Sequence, residues 1–493
     1  MLICSLKIVQ KIKIILIFVI FIKLYEKKIF MIIMKFGGSS IADGERMLNV
    51  LEIVKKQKGK KIVVLSACQN ITDKLEKTAS LAKNKSRKNA QKIIDEIATH
   101  HINIVQRTIK DKKFQHAATQ AVNLHIKDLN NLIDGIALLN ELTPAMLDTV
   151  LSFGEFLSTT VFHILCLANN LNNEFVDARE LIKTDSNFNN ASPLPSIYEK
   201  TTKNIIKNSS KDLIITQGFI AFDENSKTTT LGRGGSDLTA ALLGAAINAS
   251  EIQIWTDVDG ILSADPKKNK NAKTVSQMTF QEVKDLSFWG AKVLHPKTIL
   301  PAIEKKITVK VLNSFNPKSQ GTTITTNGEI KKLVLNSVVA KNNCYLFNMK
   351  SDSATVDSTN IYDYASITNL LSHDEIHKEI TVLYFGYGNG VFSILFEKNK
   401  ENFVVKNSFI KNIKSSQILF SAPVSVICIS GQNFKSNPIE FTKFISTIAN
   451  HFEAVHLQQL IFKYSDSSVI FVIDSEYETD KIVEKIHDLI VKL

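Results

Sequence analysis

Thr230-Leu231-Gly232-Arg233-Gly234-Gly235-Ser236-Asp237 packs three glycines, a guanidinium and a carboxylate into one turn leading into the apolar helical stretch Leu238–Ala249. Amides freed by such a turn, at the positive end of a helix, hold anions. A second glycine turn, Lys35-Phe36-Gly37-Gly38-Ser39-Ser40, follows the apolar run Met31-Ile32-Ile33 and again sets a cation beside two glycines. Two phosphate-friendly turns, each leaving a strand and entering a helix, point to a nucleotide and an acidic co-substrate held together.

Outward from these turns, short β-branched runs alternate with longer helical stretches from Met31 to about Thr326, the pattern of an α/β layered fold with a mostly parallel sheet. The runs predict strands at Ile32–Phe36, Lys61–Ser66, Glu174–Asp177, Leu213–Gln217, Gln253–Thr256 and Thr308–Leu312. Residues 86–142 have helical spacing with few glycines or prolines and predict a helical insertion beside the sheet. A polar, Gly-containing stretch at Asn327–Lys332 marks a boundary. Beyond it two strand–helix–strand groups recur: Asn336–Met349, a helix near Tyr362–Leu371, Glu379–Phe385 and Val391–Phe396, then Val424–Ser430, Pro438–Phe452, Leu457–Tyr464 and Ser468–Ile473, with a last helix at Asp480–Val491. These read as two small α+β modules of a ligand-sensing kind, because they lack clustered His, Asp or Arg.

The formal net charge of +12 is partly an end effect, since six lysines against one glutamate within residues 1–33 account for +5. The remaining lysines are scattered and not grouped with aromatics, which argues against nucleic acid. Five cysteines lie far apart with no CxxC pair, so neither a disulfide framework nor a zinc site is indicated and a reducing cytoplasm is expected. The apolar run Ile14–Ile22 between Lys13 and Lys23 is too short to span a bilayer, which needs about 20 residues. It resembles a signal-peptide core without a cleavage site. The expectation is that residues 1–30 are a leader outside the fold, with the native start at Met31 or Met34, and that no stable membrane association occurs.

There is no GxxxxGK[ST], and Gly386-Tyr387-Gly388-Asn389-Gly390 fails the dinucleotide pattern, since Val391 stands where its last glycine belongs; a hairpin turn is expected there. Lys35 follows an apolar strand, so its ammonium emerges at the strand's carboxyl end, where ligands of open α/β sheets bind. Arg233 between glycines either clamps a carboxylate by two parallel bonds or is a surface turn arginine. Asp237 is either a site residue or a first-turn acid favoured by the helix dipole. Ser152-Phe153-Gly154-Glu155 interrupts a helical pattern with a glycine and sets one carboxylate among Leu151, Phe153, Phe156 and Leu157. Such a glutamate needs a cationic partner, either a substrate ammonium or an internal arginine. Trp255-Thr256-Asp257-Val258-Asp259-Gly260 closes a strand with two acids and a glycine turn, and Asp265-Pro266-Lys267 follows; a metal-nucleotide suits that loop, because Mg2+ keeps waters and takes one or two carboxylates. Gly290-Ala291-Lys292-Val293-Leu294-His295-Pro296 puts a lysine at a helix start, within reach of phosphate, and reads His295 as a turn histidine.

Taken in order, KFGGSS (35–40), VVLSA (63–67), SFGE (152–155), ITQGFI (215–220), TTTLGRGGSD (228–237), WTDVDGI (255–261) and GAKVLHP (290–296) resemble the aspartate kinases of the amino acid kinase superfamily. The resemblance implies a catalytic domain over 31–326, a sandwich around a mostly parallel sheet, and a regulatory region over 333–493 of two ACT-like modules. It implies phosphoryl transfer from MgATP to the side-chain carboxylate of L-aspartate, with Mg2+ travelling on the nucleotide and no protein-held metal site. Carried over by motif, Lys35, Asp237 and Lys292 are catalytic, and Ser39, Glu155, Arg233 and Ser236 bind substrate. Lys35, Gly37, Gly38, Thr256, Asp257, Lys267 and Lys292 face the nucleotide. The chain departs from the family at Leu262, where relatives carry a tyrosine, at Lys267, where an arginine is usual, and at Met349-Lys350-Ser351-Asp352, which lacks the glycine of effector sites. A lysine or threonine effector and a homodimer or homotetramer follow by the same resemblance. No fused homoserine dehydrogenase is expected, because the residues after the kinase region carry no dinucleotide motif. The competing readings are another kinase of the same fold, acting on glutamate, UMP or carbamate, and a catalytically dead amino acid sensor.

Overall fold

The computed structural model describes residues 31–291, 294, 296–326, 332–351, 380–388, 391–398, 416–451, 457–462, 467–475 and 478–492. Two compact units divide the chain: the first runs to Asp257 and takes in Leu300–Val309, and the second comprises Val258–Ile299 and Lys310–Leu493.

In the first unit β1 (Met31–Phe36), β2 (Lys60–Leu65), β3 (Asn173–Phe175), β5 (Leu213–Gln217) and β8 (Glu251–Thr256) lie in the order β3-β5-β2-β1-β8, all parallel. Their sequences are near-continuous apolar runs because a parallel sheet is covered on both faces. Ile33, Met34, Phe36, Val63, Val64 and Ile215 are all fully enclosed. The register aligns Phe36 with both Leu65 and Trp255, and Leu65 with Gln217. The strands therefore finish level, and the loops after β1, β2, β5 and β8 leave from one edge. The chain builds outward from β1 through β2 to β5 and then returns to lay β8 on the other flank of β1, making a crevice at the carboxyl ends of those two strands. A small second sheet, β4 (Lys183–Thr184), β6 (Ile220–Asp223) and β7 (Thr228–Thr230), carries the chain into the Arg233 turn. Strands of two to four residues are too short to show an alternation, and β6 and β7 went unanticipated.

The 86–142 region forms two helices, Arg87–Thr108 and Lys112–Leu139, the second capped by Asp111 accepting from the Lys113 and Phe114 amides. The helix Pro144–Ala168 starts with Thr143 accepting from the Met146 amide and a proline in its first turn, as helix starts favour. Its length and composition would let it cross a membrane, but 72% of its most apolar window is buried inside the protein, the property of a core helix.

Sequence reading expected Gly154 to interrupt that helix, and the helix runs through it unbroken. A Cβ on Gly154 would lie 2.7 Å from the Ala67 Cβ, so the glycine serves as the notch in which the loop after β2 sits. Close packing against another element outweighs the roughly 1 kcal/mol helix-propensity cost of glycine.

In the second unit β9 (Gln277–Thr279) pairs in parallel with β11 (Thr322–Thr325), next to β10 (Thr308–Asn313). Beyond residue 332 β12 (Val334–Ser351), β13 (Ile380–Gly388), β14 (Val391–Lys398), β15 (Ser416–Gln432), β16 (Leu457–Phe462) and β17 (Ser468–Asp474) form one antiparallel sheet in the order β13-β14-β12-β15-β17-β16. The two expected strand groups thus share one sheet, joined by the long β12–β15 pairing. The helices Pro438–His451 and Thr479–Lys492 stand where the sequence placed them; the helix near Tyr362–Leu371 lies outside the described residues. Gly388 pairs with Val391, the register of the expected hairpin at residues 386–390, although 389 and 390 lie outside the described residues.

Candidate active site

The loops after β1, β2, β5 and β8 leave the carboxyl edge of the parallel sheet, and the Arg233 turn follows β7 of the small sheet. After Phe36 the chain turns so that the Gly37 amide donates to the Trp255 carbonyl at 3.1 Å, holding the first glycine turn to the end of β8. Gly38 is required by crowding: a Cβ there would meet the Ala67 carbonyl at 2.7 Å. Ser39 lies in the short 3-10 turn Gly38–Ile41, and its carbonyl accepts from Arg46 Nη1 at 3.0 Å. With no side chains on 37 and 38, the turn leaves room for a ligand to lie against backbone.

Lys35 reaches up from the last turn of β1 and pairs with Asp237 at 2.6 Å, both side chains largely shielded. The lysine head also lies beside Gly37, 3.6 Å from where its Cβ would be. Asp237 sits in the first turn of the helix Gly235–Ile247, whose start is reached through Gly232 and Gly234 in the left-handed region, at φ 71° and 72°. The two glycine turns singled out from sequence, 202 residues apart between Lys35 and Asp237, therefore meet in one ion pair. Such a pair holds the ammonium in place, with the carboxylate in the first turn of the helix where the dipole favours an acid.

Ser236 is buried, and Gly218, at the end of β5, makes room for it: a Cβ on Gly218 would lie 2.5 Å from Ser236 Oγ. Arg233 stands exposed at the tip of its turn, with no ion pair among the described residues. Thr256 Oγ donates to Asp257 Oδ1 at 3.1 Å, and Asp257 is exposed at the end of β8.

Glu155 is only 3% exposed. Its Oε1 accepts from the Ala67 amide at 3.0 Å, while Oε2 has no hydrogen-bond partner among the described residues. Of the two cationic partners open at the sequence level, no internal arginine is paired with it among the described residues. Burial pushes its carboxyl up to about 8, against a weaker pull from the Ala67 amide. Ala67 also places its carbonyl against Gly38, so one residue joins the glutamate to the first glycine turn. Ser158 Oγ, one turn beyond Glu155, donates to the Ser66 carbonyl at 2.7 Å and fixes the same loop.

The structure thus brings together Lys35, Gly37, Gly38, Ser39, Glu155, Ser236 and Asp237, with Thr256-Asp257 at the end of β8 and the Arg233 turn leading into the helix that carries Asp237. Lys267 belongs to the second unit, exposed in a turn where its amide donates to Asp265 Oδ1. In that unit the segment around it is tied to the last helix by Ser263 Oγ with His487 Nε2 at 2.8 Å and by Lys268 with Asp480 at 2.7 Å. Lys292 and His295 lie outside the described residues. Sequence reasoning missed Asp148, Gly218 and Ser158. Asp148 is fully buried two turns before Glu155 on the same helix, and an acid at that spacing from a site acid, among apolar neighbours, is the one signal that could have exposed it.

A parallel sheet with two glycine turns and a lysine–aspartate pair at its carboxyl edge defines a phosphoryl-transfer class of α/β protein, and a family model described as the amino acid kinase family matches residues 30–313. Aspartokinase 1, chloroplastic, of Arabidopsis thaliana is 31% identical over 472 residues, covering 87% of this chain and 79% of that one. Lysine-sensitive aspartokinase 3 of Escherichia coli is 34% identical over 294 residues, covering 59% of this chain and 64% of that one. Among solved structures, E. coli aspartokinase III in complex with aspartate and ADP superposes with a TM-score of 0.74 at 25% identity, covering 93% of this chain and 99% of that chain. The chain belongs to the amino acid kinase family and, within it, to the aspartate kinases.

Proposed function

We propose that the protein transfers the γ-phosphoryl group of MgATP to the side-chain carboxylate of L-aspartate, giving 4-phospho-L-aspartate, the first step of lysine, threonine and methionine synthesis. The observation that carries this reading is Glu155: a buried carboxylate whose Oε2 has neither a hydrogen-bond partner nor a paired cation among the described residues, joined through Ala67 to the glycine turn that follows Lys35. An amino acid supplies the missing ammonium. Arg233 takes its α-carboxylate by a two-pronged bond, with Ser236 and Ser39 beside it. The nucleophile needs no base, since an aspartate side chain with a reference pKa of about 3.9 is already ionised at neutral pH. What the site supplies is alignment and positive charge between two anions that repel. Lys35, held by Asp237, serves the transferring phosphoryl oxygens, and Gly37 and Gly38 line the phosphates. Thr256, Asp257, Lys267 and Lys292 complete the nucleotide contacts.

The residues present fit a metal carried by the nucleotide. No group of three His, Cys, Asp or Glu stands together among the described residues, whereas Asp257 offers one exposed carboxylate at the strand end. When bound, Mg2+ would supply charge neutralisation across the phosphates, with Asp257 as its protein contact. On this reading 31–326 is the catalytic domain and 333–493 a regulatory pair of ACT-like modules, with lysine or threonine as effector and a homodimer or homotetramer as the assembly. The buried thiols at Cys68, Cys166 and Cys344, in no disulfide, suit a cytoplasmic setting. Trapping the acyl phosphate with hydroxylamine tests the reaction: ATP- and aspartate-dependent hydroxamate is expected, and its absence from folded protein overturns the reading.

A further inference from the structure

The turn that presents Arg233 has two supports, and both end on one buried carboxylate. Asp148 lies on the helix Pro144–Ala168, seven residues before Glu155, so two turns set the two acids on the same face of one helix. Its oxygens accept from the Thr230 amide at 2.9 Å, from Thr230 Oγ at 2.7 Å, and from the Asn189 amide at 2.9 and 3.1 Å. Thr230 is the last residue of β7, three before Arg233. Asn189 belongs to the loop that backs the turn: the Ala191 amide donates to the Thr230 carbonyl at 2.9 Å, and a Cβ on Gly232 would meet Asn190 Oδ1 at 2.7 Å. The two amides can only donate, so Asp148 must accept from both, and the Thr230 hydroxyl adds a third hydrogen bond; burial pushes this carboxyl up while the bonds from Asn189 and Thr230 pull it down. The carboxylate is 0% exposed and touches none of the proposed ligand contacts itself.

We propose that Asp148 is a positioning residue for amino acid recognition: it fixes the distance between the α-carboxylate clamp at Arg233 and the ammonium acceptor at Glu155 by tying the clamp's turn to the glutamate's own helix. The inference rests on the assignment of Arg233 and Glu155 to the two ends of aspartate. A single rigid helix then acts as the ruler for the α-amino acid head group, common to any amino acid, while the nucleotide side of the site depends on other loops.

Steady-state kinetics of Asp148→Asn, Arg233→Ala and the double variant test it. Asp148→Asn keeps the size but turns a donor toward donors, and losing charged hydrogen bonds of this kind predicts a KM for aspartate raised by about tenfold or more. KM for ATP should stay within about twofold and kcat within a few-fold. In the Arg233→Ala background the same substitution should add less than about twofold, because the group it positions is gone. Thr230→Val, which removes only the hydroxyl donor, should raise KM for aspartate by a few-fold and lose that effect in the same background. A rise in both KM values, or an undiminished effect without Arg233, would make Asp148 merely structural and overturn the inference. Should Asp148→Asn fail to fold, a Thr230→Val variant indistinguishable from the parent overturns it equally. If Arg233→Ala itself leaves KM for aspartate unchanged, the substrate assignment falls first, a result distinct from a silent Asp148.

Discussion

Aspartate binding should expel a proton, and the source is Glu155. Burial holds this carboxyl at about 8, against an ordinary 4.5, so ligand-free protein at pH 7 carries it neutral in about nine molecules in ten. On the proposed assignment, an ammonium arriving against Oε2 would favour the ionised form and drive that proton off. The apparent affinity for aspartate should then rise roughly tenfold from pH 6 to 7, about fivefold from pH 7 to 8, and level off above. Calorimetry at pH 7 in buffers of different ionisation enthalpy should report close to one proton released per aspartate bound, and none for Glu155→Gln, whose affinity should not follow pH. Stability of the ligand-free protein follows the same pKa with the sign fixed by linkage. The folded state keeps the Glu155 proton above pH 4.5 while the unfolded chain loses it, so this contribution is full below about 4.5 and is lost as pH rises through about 8. The interval corresponds to roughly 5 kcal/mol as an upper bound, before relaxation and water entry reduce it. Proton release equal in the parent and in Glu155→Gln, or an aspartate affinity flat from pH 6 to 8, would refute the reasoning.

Lys35→Ala should lower kcat by at least ~10^2 in the coupled ADP-release assay, since it removes a charge used mainly in the transition state; turnover within a few-fold of the parent would make the lysine structural. Arg233→Ala should raise KM for aspartate more than KM for ATP, and equal losses would mean the clamp is misassigned. Gly154→Ala forces a Cβ to within 2.7 Å of the Ala67 Cβ and should cost about 1–3 kcal/mol in denaturant unfolding. Ala67→Gly in the same chain should recover much of that loss, and failure to do so would show that the crowding lies elsewhere.

The strands of the first unit were legible because a doubly covered parallel strand is written as a solid apolar run, and Met31–Phe36 or Leu213–Gln217 can hardly be anything else. The glycine turns were legible because amide-rich anion sites need residues without side chains. Pairing was not. Asp237 looked ambiguous alone, and its ion pair with Lys35 depends on β1 and the Gly235–Ile247 helix being brought together by the sheet. Gly154 was misjudged for a related reason: local propensity counts its cost within the helix and is blind to the Ala67 methyl that needs the space. Asp148 escaped because an acid in a helical pattern ordinarily faces water, and only the fold shows three donor groups closing over it. Sharing of one sheet by the two C-terminal strand groups likewise rests on the long-range β12–β15 register, which no local pattern encodes.

The most direct measurement is a crystal structure of the protein with ADP and aspartate bound. The account predicts the amino acid's ammonium about 3 Å from Glu155 Oε2, its α-carboxylate against Arg233, and the nucleotide phosphates over Gly37 and Gly38 beside Lys35. Aspartate seated away from Glu155, or ADP bound away from the carboxyl ends of β1 and β8, would contradict it.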